Sequence, residues 1–165
     1  MNIRRLEVSD APLLHALRVA VDAESPGPLG PAAQRQRAVR LQQITLELAA
    51  QQGATFGAFL QDKLVGAASI APTPSVPNWF GLFGVAVTSE FRGQKISRAL
   101  VCECLAHAAS SGAEGVTLVV SVPNPAAKSL YESLGFEVWN TSERAYVYEG
   151  TQYDELSMRR FLKRA

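Results

Sequence analysis

One stretch, Trp79 to Phe136, constrains this chain more than any other. It reads as a strand, a polar turn, a long helix, a second strand and a second helix. The first strand, Trp79 to Val87 (WFGLFGVAV), is apolar almost throughout and carries Gly81 and Gly84. A turn from Thr88 to Gly93 follows, and then helical spacing from about Gln94 to Ser111. After Gly112, the β-branched run Gly115 to Val122 (GVTLVVSV) is bounded by turn residues and predicts a buried strand. A strand, a crossover helix and a second strand of these lengths make a right-handed βαβ unit with parallel strands. Chemistry is then expected at the carboxyl end of the first strand, near Val87.

The rest of the chain fits around this unit. Asn2 to Val8 reads as a strand, with Ser9 or Asp10 as N-cap of a helix from Ala11 to about Val21. Glu24 to Pro31 (ESPGPLGP) cannot be regular structure and reads as a loop, one that can shape substrate access or merely connect. A helix follows from about Ala32 to Gln52. Ala54 to Leu60 and Leu64 to Ile70 form an antiparallel hairpin around a polar connection. Short strands are expected at Val138 to Thr141, Arg144 to Tyr148 and Asp154 to Met158, with a fraying tail from Arg159. The expected fold is a single α/β (α+β) domain over residues 1–165, with a mixed sheet covered on both faces.

Composition narrows the function. A net charge of +1 lacks the electrostatic footprint of a duplex-binding protein, so no nucleic-acid partner is expected. No run is long and apolar enough for a membrane span, and the first ten residues lack a signal-peptide core. Cys102 and Cys104, two apart on a helix, point about 200° from one another and can neither bridge nor share a metal. Reduced, mostly buried thiols suit a cytoplasmic protein. His15 and His107 have no second ligand at metal spacing, and no GxGxxG, GxxxxGK or GxSxG fingerprint occurs. No metal is expected.

Two features carry chemistry. The turn Arg92-Gly93-Gln94-Lys95 opens a helix whose first backbone N–H groups are unpaired, a ready anion site with Arg98 nearby. Further on, Asn124 is an N-cap, Pro125 suits the first helical position, and Gly135 is a left-handed terminator before Phe136. Asn124, Ala127 and Tyr131 then share one helix face. Tyr131 can pack against the sheet or donate a proton.

The run VAVTSEFRGQKISRALV, followed by NPAAKSLYESLGF, resembles the GCN5-related N-acetyltransferase (GNAT) superfamily, closely from Leu82 to Phe136 and in element order over most of the chain. The family pattern Asn-x-x-Ala-x-x-x-Tyr-x-x-x-Gly-Phe is matched in full by Asn124, Ala127, Tyr131, Gly135 and Phe136. Its pyrophosphate pattern is matched by Arg92, but Lys95 and Ser97 stand where small residues, mostly glycine, are usual. The resemblance implies a mostly antiparallel sheet with a central parallel βαβ unit, and acetyl-CoA as acyl donor to an amine of a small molecule or protein. It implies cofactor contacts from Val85, Ala86 and Val87, from Arg92, Gly93, Gln94, Lys95, Ile96, Ser97 and Arg98, and from Asn124, Ala127 and Tyr131. The amine attacks directly; a backbone N–H of Val85 to Val87 meets the oxyanion, and Tyr131 serves as general acid. The base is open, with Glu24, Glu47 or a water chain as candidates, and Trp79, Phe80 and Phe83 are expected to wall the acceptor side. One alternative stands beside this reading, a non-catalytic GNAT-like CoA-binding or regulatory domain with a degenerate pyrophosphate turn; as for assembly, the C-terminal strands offer a route to a homodimer.

Overall fold

The computed structural model of the chain describes residues 1–24 and 41–162. Its strands are β1 (Asn2–Arg5), β2 (Ala54–Leu60), β3 (Lys63–Pro72), β4 (Trp79–Val87), β5 (Gly115–Val122), β6 (Glu137–Tyr148) and β7 (Thr151–Phe161). The helices are α1 (Ala11–Glu24), α2 (Leu41–Ala49), α3 (Ile96–Ser110) and α4 (Pro125–Ser133). One seven-stranded sheet runs in the order β1-β2-β3-β4-β5-β7-β6. Among the described residues only β4 and β5 pair in parallel, joined through α3 as the βαβ unit requires; the other neighbours are antiparallel. The predicted loop from Glu24 to Pro31 lies, after Glu24, outside the described residues, as does the predicted second helix before residue 41.

Alternation along β3, reset by a bulge at Val65, sorts two cores. Val65, Ala68 and Ile70 join Leu100, Val101 and Cys104 of α3 and Val116, Leu118 and Val120 of β5 on one face. Leu64 and Ala67 join Leu14 and Leu17 of α1 and Ile44 of α2 on the other. Helices therefore cover both faces, but α1 and α2 stop short of the C-terminal strands. On their face Val119, Trp139 and Phe161 stay 59%, 53% and 60% exposed.

Three expectations are corrected. The first strand ends at Arg5 instead of Val8, because Glu7 N–H donates to Asp10 Oδ2 at 2.8 Å and winds Val8–Asp10 into a 3-10 turn. The three short C-terminal strands are two long ones. Irregular pairing near Val138/Asn140 and Ser142/Tyr146, with Arg144 at φ 51, breaks the period-two pattern without ending the ladder. The tail does not fray at Arg159, which pairs with Thr117 and Glu137 inside β7.

Candidate active site

The parallel rungs between β4 and β5 number only three, Trp79↔Gly115, Phe80↔Val116 and Gly81↔Thr117. Beyond them the strands part. On its other side β4 keeps its antiparallel partner β3, but Gly84 and Val85 stand against the single Ala68, which makes a bulge. Gly84 takes φ +63, in the left-handed region that favours glycine. Past the bulge, Thr88 N–H donates to Val65 O at 3.0 Å. Ladder alternation then turns the N–H of Val87 away from β3, into the gap.

The turn leaving this strand is held from the side. The Arg92 Nε donates to Val87 O at 3.0 Å, and its Nη2 lies 3.5 Å from Glu24 Oε2. Glu24 Oε2 also accepts from Ser89 N–H at 2.8 Å. Gly93 (φ +77) and Lys95 (φ 61, ψ 15) both turn left-handed, and α3 begins at Ile96. Its first backbone bond runs from Ala99 N–H to Lys95 O at 3.1 Å. Among the described residues no acceptor meets the N–H groups of Ile96, Ser97 or Arg98, so an electropositive helix start faces outward. The Arg98 Nη1 reaches to Ser133 Oγ at 2.8 Å and so ties α3 to the end of α4.

That second helix is built as its residues dictate. Asn124 Oδ1 accepts from Ala127 N–H at 3.2 Å, with Pro125 at the first position. At the other end Gly135 (φ +84) lets its N–H reach Glu132 O and that of Phe136 reach Tyr131 O, both at 3.0 Å, a Schellman motif. The rings of Tyr131 and Phe136 meet edge-on at 5.8 Å, closing the motif with an apolar contact. Tyr131 is 9% exposed, and burial, with Cys104 beside it, pushes its phenol up to about 12. Its hydroxyl makes no hydrogen bond among the described residues.

On the opposite face, beneath the bulge, lies a polar cluster that sequence reasoning touched only at Glu47. Arg18 forks onto Glu47 with two bonds of 2.9 Å. Ser69 Oγ and Thr55 Oγ1 donate to Glu47 Oε1 at 2.8 and 3.1 Å. Burial opposes the Glu47 charge, but the bonds from Arg18, Ser69 and Thr55 prevail and hold its carboxyl below the usual range. A carboxylate so satisfied is a poor proton acceptor. A Cβ on Gly84 would stand 3.4 Å from Arg18 Nη2, so this cluster supports the bulge. Arg18 had no local signature in the sequence, because its partners Glu47 and Ser69 come from other elements.

The aromatic wall is also redistributed. Phe80 is buried in the α3 core, whereas Trp79 lies against Gly115 and meets the Phe161 ring edge-on at 5.2 Å on the other face. Cys102 is exposed and Cys104 buried, one thiol to each side of α3. Among the described residues no three potential metal ligands gather, and no helix is long and apolar enough to cross a membrane.

A parted strand pair beside an open helix start gives this α/β domain a cleft with the chemistry to suit an anionic ligand. The chain matches the Acetyltransferase (GNAT) family over residues 16–136 and belongs to that family. It is similar to the mycothiol acetyltransferase of Kocuria rhizophila, 42% identical over 59 residues, which are 36% of this chain and 20% of that protein. The match therefore spans about a fifth of that relative's length. An acetyltransferase of the GNAT family from Streptococcus pneumoniae has the same fold, with a TM-score of 0.84 at 22% identity, over 98% of this chain and 99% of that one. So does yncA of Salmonella typhimurium, solved with its cofactor acetyl-CoA, with a TM-score of 0.85 at 18% identity, over 99% and 94%.

Proposed function

We propose that this chain, as one domain, transfers the acetyl group of acetyl-CoA to a primary amine of a small molecule or protein. The observation that carries the reading is the parting of β4 from β5 after Gly81, with the open N–H groups of α3 at one end of the gap. The residues fit the cosubstrate: backbone donors from Gln94 to Arg98 suit a pyrophosphate, and the gap suits an extended arm. Bound acetyl-CoA supplies the acyl group as a thioester. Val87 N–H, with Val85 and Ala86 beside it, supplies a preorganised donor where negative charge develops on the carbonyl oxygen. Asn124 and Ala127 hold α4 so that Tyr131 faces the arm.

Tyr131 stabilises the departing sulfur. With its phenol near 12 it stays protonated at neutral pH, against roughly 8.5 for an ordinary thiol. It therefore donates a hydrogen bond throughout, and passes its proton to the departing sulfur only as the acylated nitrogen supplies another in its place. The reduced thiols support a cytoplasmic setting. The long exposed edge of β6 supports a homodimer, which sedimentation would register as a doubled mass.

The test is thermal unfolding with acetyl-CoA at about 100 times its dissociation constant, where a specific ligand adds roughly 2.7 kcal/mol. We expect the shift in the wild type and in Tyr131→Phe alike, with turnover lost in the variant only. No shift in either would sink the proposal, and a shift with no amine-dependent release of CoA would favour the non-catalytic alternative.

A further inference from the structure

We infer that Glu155 on β7 is the residue that takes the proton from the acceptor amine. This rests on the acetyltransferase reading above. The open N–H groups of α3 and the side chain of Tyr131 belong to the α3/α4 side of the sheet, so the acyl donor occupies that side and an acceptor reaches the gap from the other. On β5 and β7 the core face is fixed by Leu118, Val120 and Met158. Their neighbours in the ladder therefore face the acceptor side. Glu155 is one of these, directly opposite Ser121 of β5 and Ser142 of β6. Ser121 borders the gap, because β5 has no β4 partner past Thr117. Glu155 stands one strand spacing farther, about 4.8 Å, within reach of one side chain and one water.

The carboxylate inventory leads to the same residue. The chain has 15 Asp and Glu residues, all among the described residues. Six stand in salt bridges, Asp154 accepts from Arg144 N–H, and Asp22 and Glu114 hold other contacts. Glu7, Asp62, Glu103, Glu143 and Glu149 are exposed. Glu155 remains, half-buried and without a bonding partner among the described residues. One rung beyond it on the same face, Tyr146 stacks on Tyr153 at 5.5 Å between ring centroids and an angle of 17°. Tyr146 is 6% exposed, and its hydroxyl is a buried polar atom with no hydrogen-bond partner among the described residues. Such an atom is costly unless a ligand group completes it. A carboxylate on the same face as a stacked tyrosine pair and an unmet hydroxyl fits an ammonium, held by charge and by a hydrogen bond to that hydroxyl oxygen.

In the step, Glu155 accepts one proton from the ammonium, directly or through one water. The freed nitrogen lone pair forms the C–N bond as the carbon–sulfur bond breaks, and the sulfur takes the Tyr131 proton. The acylated nitrogen loses its second proton through solvent to the Tyr131 phenolate, and Glu155 releases the first to water, so that ammonium and thioester give amide, thiol and one free proton.

The test compares two nucleophiles with acetyl-CoA: n-butylamine, protonated at pH 8, and hydroxylamine, neutral there. In Glu155→Gln we expect kcat/KM for n-butylamine to fall roughly 100-fold or more and that for hydroxylamine to fall less than about 3-fold. Glu155→Asp should recover part of the loss. Equal losses with both nucleophiles, or none with either, would overturn the assignment. A readout independent of turnover is the Glu155 side-chain carboxyl carbon resonance, identified by its absence from the Gln variant. It should move when n-butylammonium is added, with or without CoA, and an unmoved resonance also overturns the proposal. A wild type lacking both the acetyl-CoA thermal shift and any thiol release fails the underlying reading instead, and the resonance still decides on Glu155.

Discussion

Lys95 occupies the left-handed region at φ 61, immediately before α3. A side chain there costs on the order of 1 kcal/mol relative to glycine. Lys95→Gly should therefore raise the unfolding midpoint of the free protein by about 2–4 °C. A calorimetric titration of the same variant tells whether the lysine also helps hold acetyl-CoA: weaker binding despite greater stability means that its ammonium contacts phosphate. The tension at Lys95 is legible in the sequence, because a cationic residue stands where a small one is usual. The side-chain partners of Arg92 and Arg98 are not. Val87 O and Ser133 Oγ come from other elements, and no local spacing announces them. Glu47 shows the same limit: the sequence offers it as a base, and its three donors from α1, β2 and β3 make it a support.

At the scale of elements, β4 and α4 follow from their residues. Gly84, a glycine inside an apolar strand, stands in a bulge, and the Asn-Pro start and Gly-Phe end of α4 appear as N-cap and Schellman closure. Gly84→Ala puts a Cβ at φ +63 and 3.4 Å from Arg18 Nη2. We expect a loss of about 1 kcal/mol in urea unfolding, and a larger proportional loss of turnover than of acetyl-CoA affinity, because the bulge sets the donors of Val85 to Val87. β6 was illegible for the opposite reason. Its bulges shift the facing of side chains midway, so the alternation that marks a strand is scrambled while the pairing with β7 continues.

For the molecule as a whole, two ion pairs anchor the N-terminal half to its sheet face. Arg4 forks onto Asp10 at 2.7 and 2.8 Å, and that bonding holds the Asp10 carboxyl below its ordinary range, as Arg18 and its neighbours do for Glu47. Both acids are therefore stronger folded than unfolded. Their contribution is complete above the unfolded values of about 3.9 and 4.3, and is lost as pH falls through the folded ones. Asp10→Asn and Glu47→Gln should each be less stable than wild type at pH 7, with the difference shrinking toward pH 3 in denaturant titrations.

The three-rung ladder between β4 and β5 has a mechanical consequence. It divides the sheet into two plates, β1 to β4 and β5-β7-β6, that share few backbone bonds along their common border. What spans the border is α3 as a strap, the Asn78 O to Glu114 N–H bond at 2.7 Å, and the Trp79 ring lying across Gly115. The crack proposed to admit a substrate is thus also the border with the fewest rungs in the sheet. A guest lodged in it works as a keystone, stiffening the joint that its own passage requires to be open.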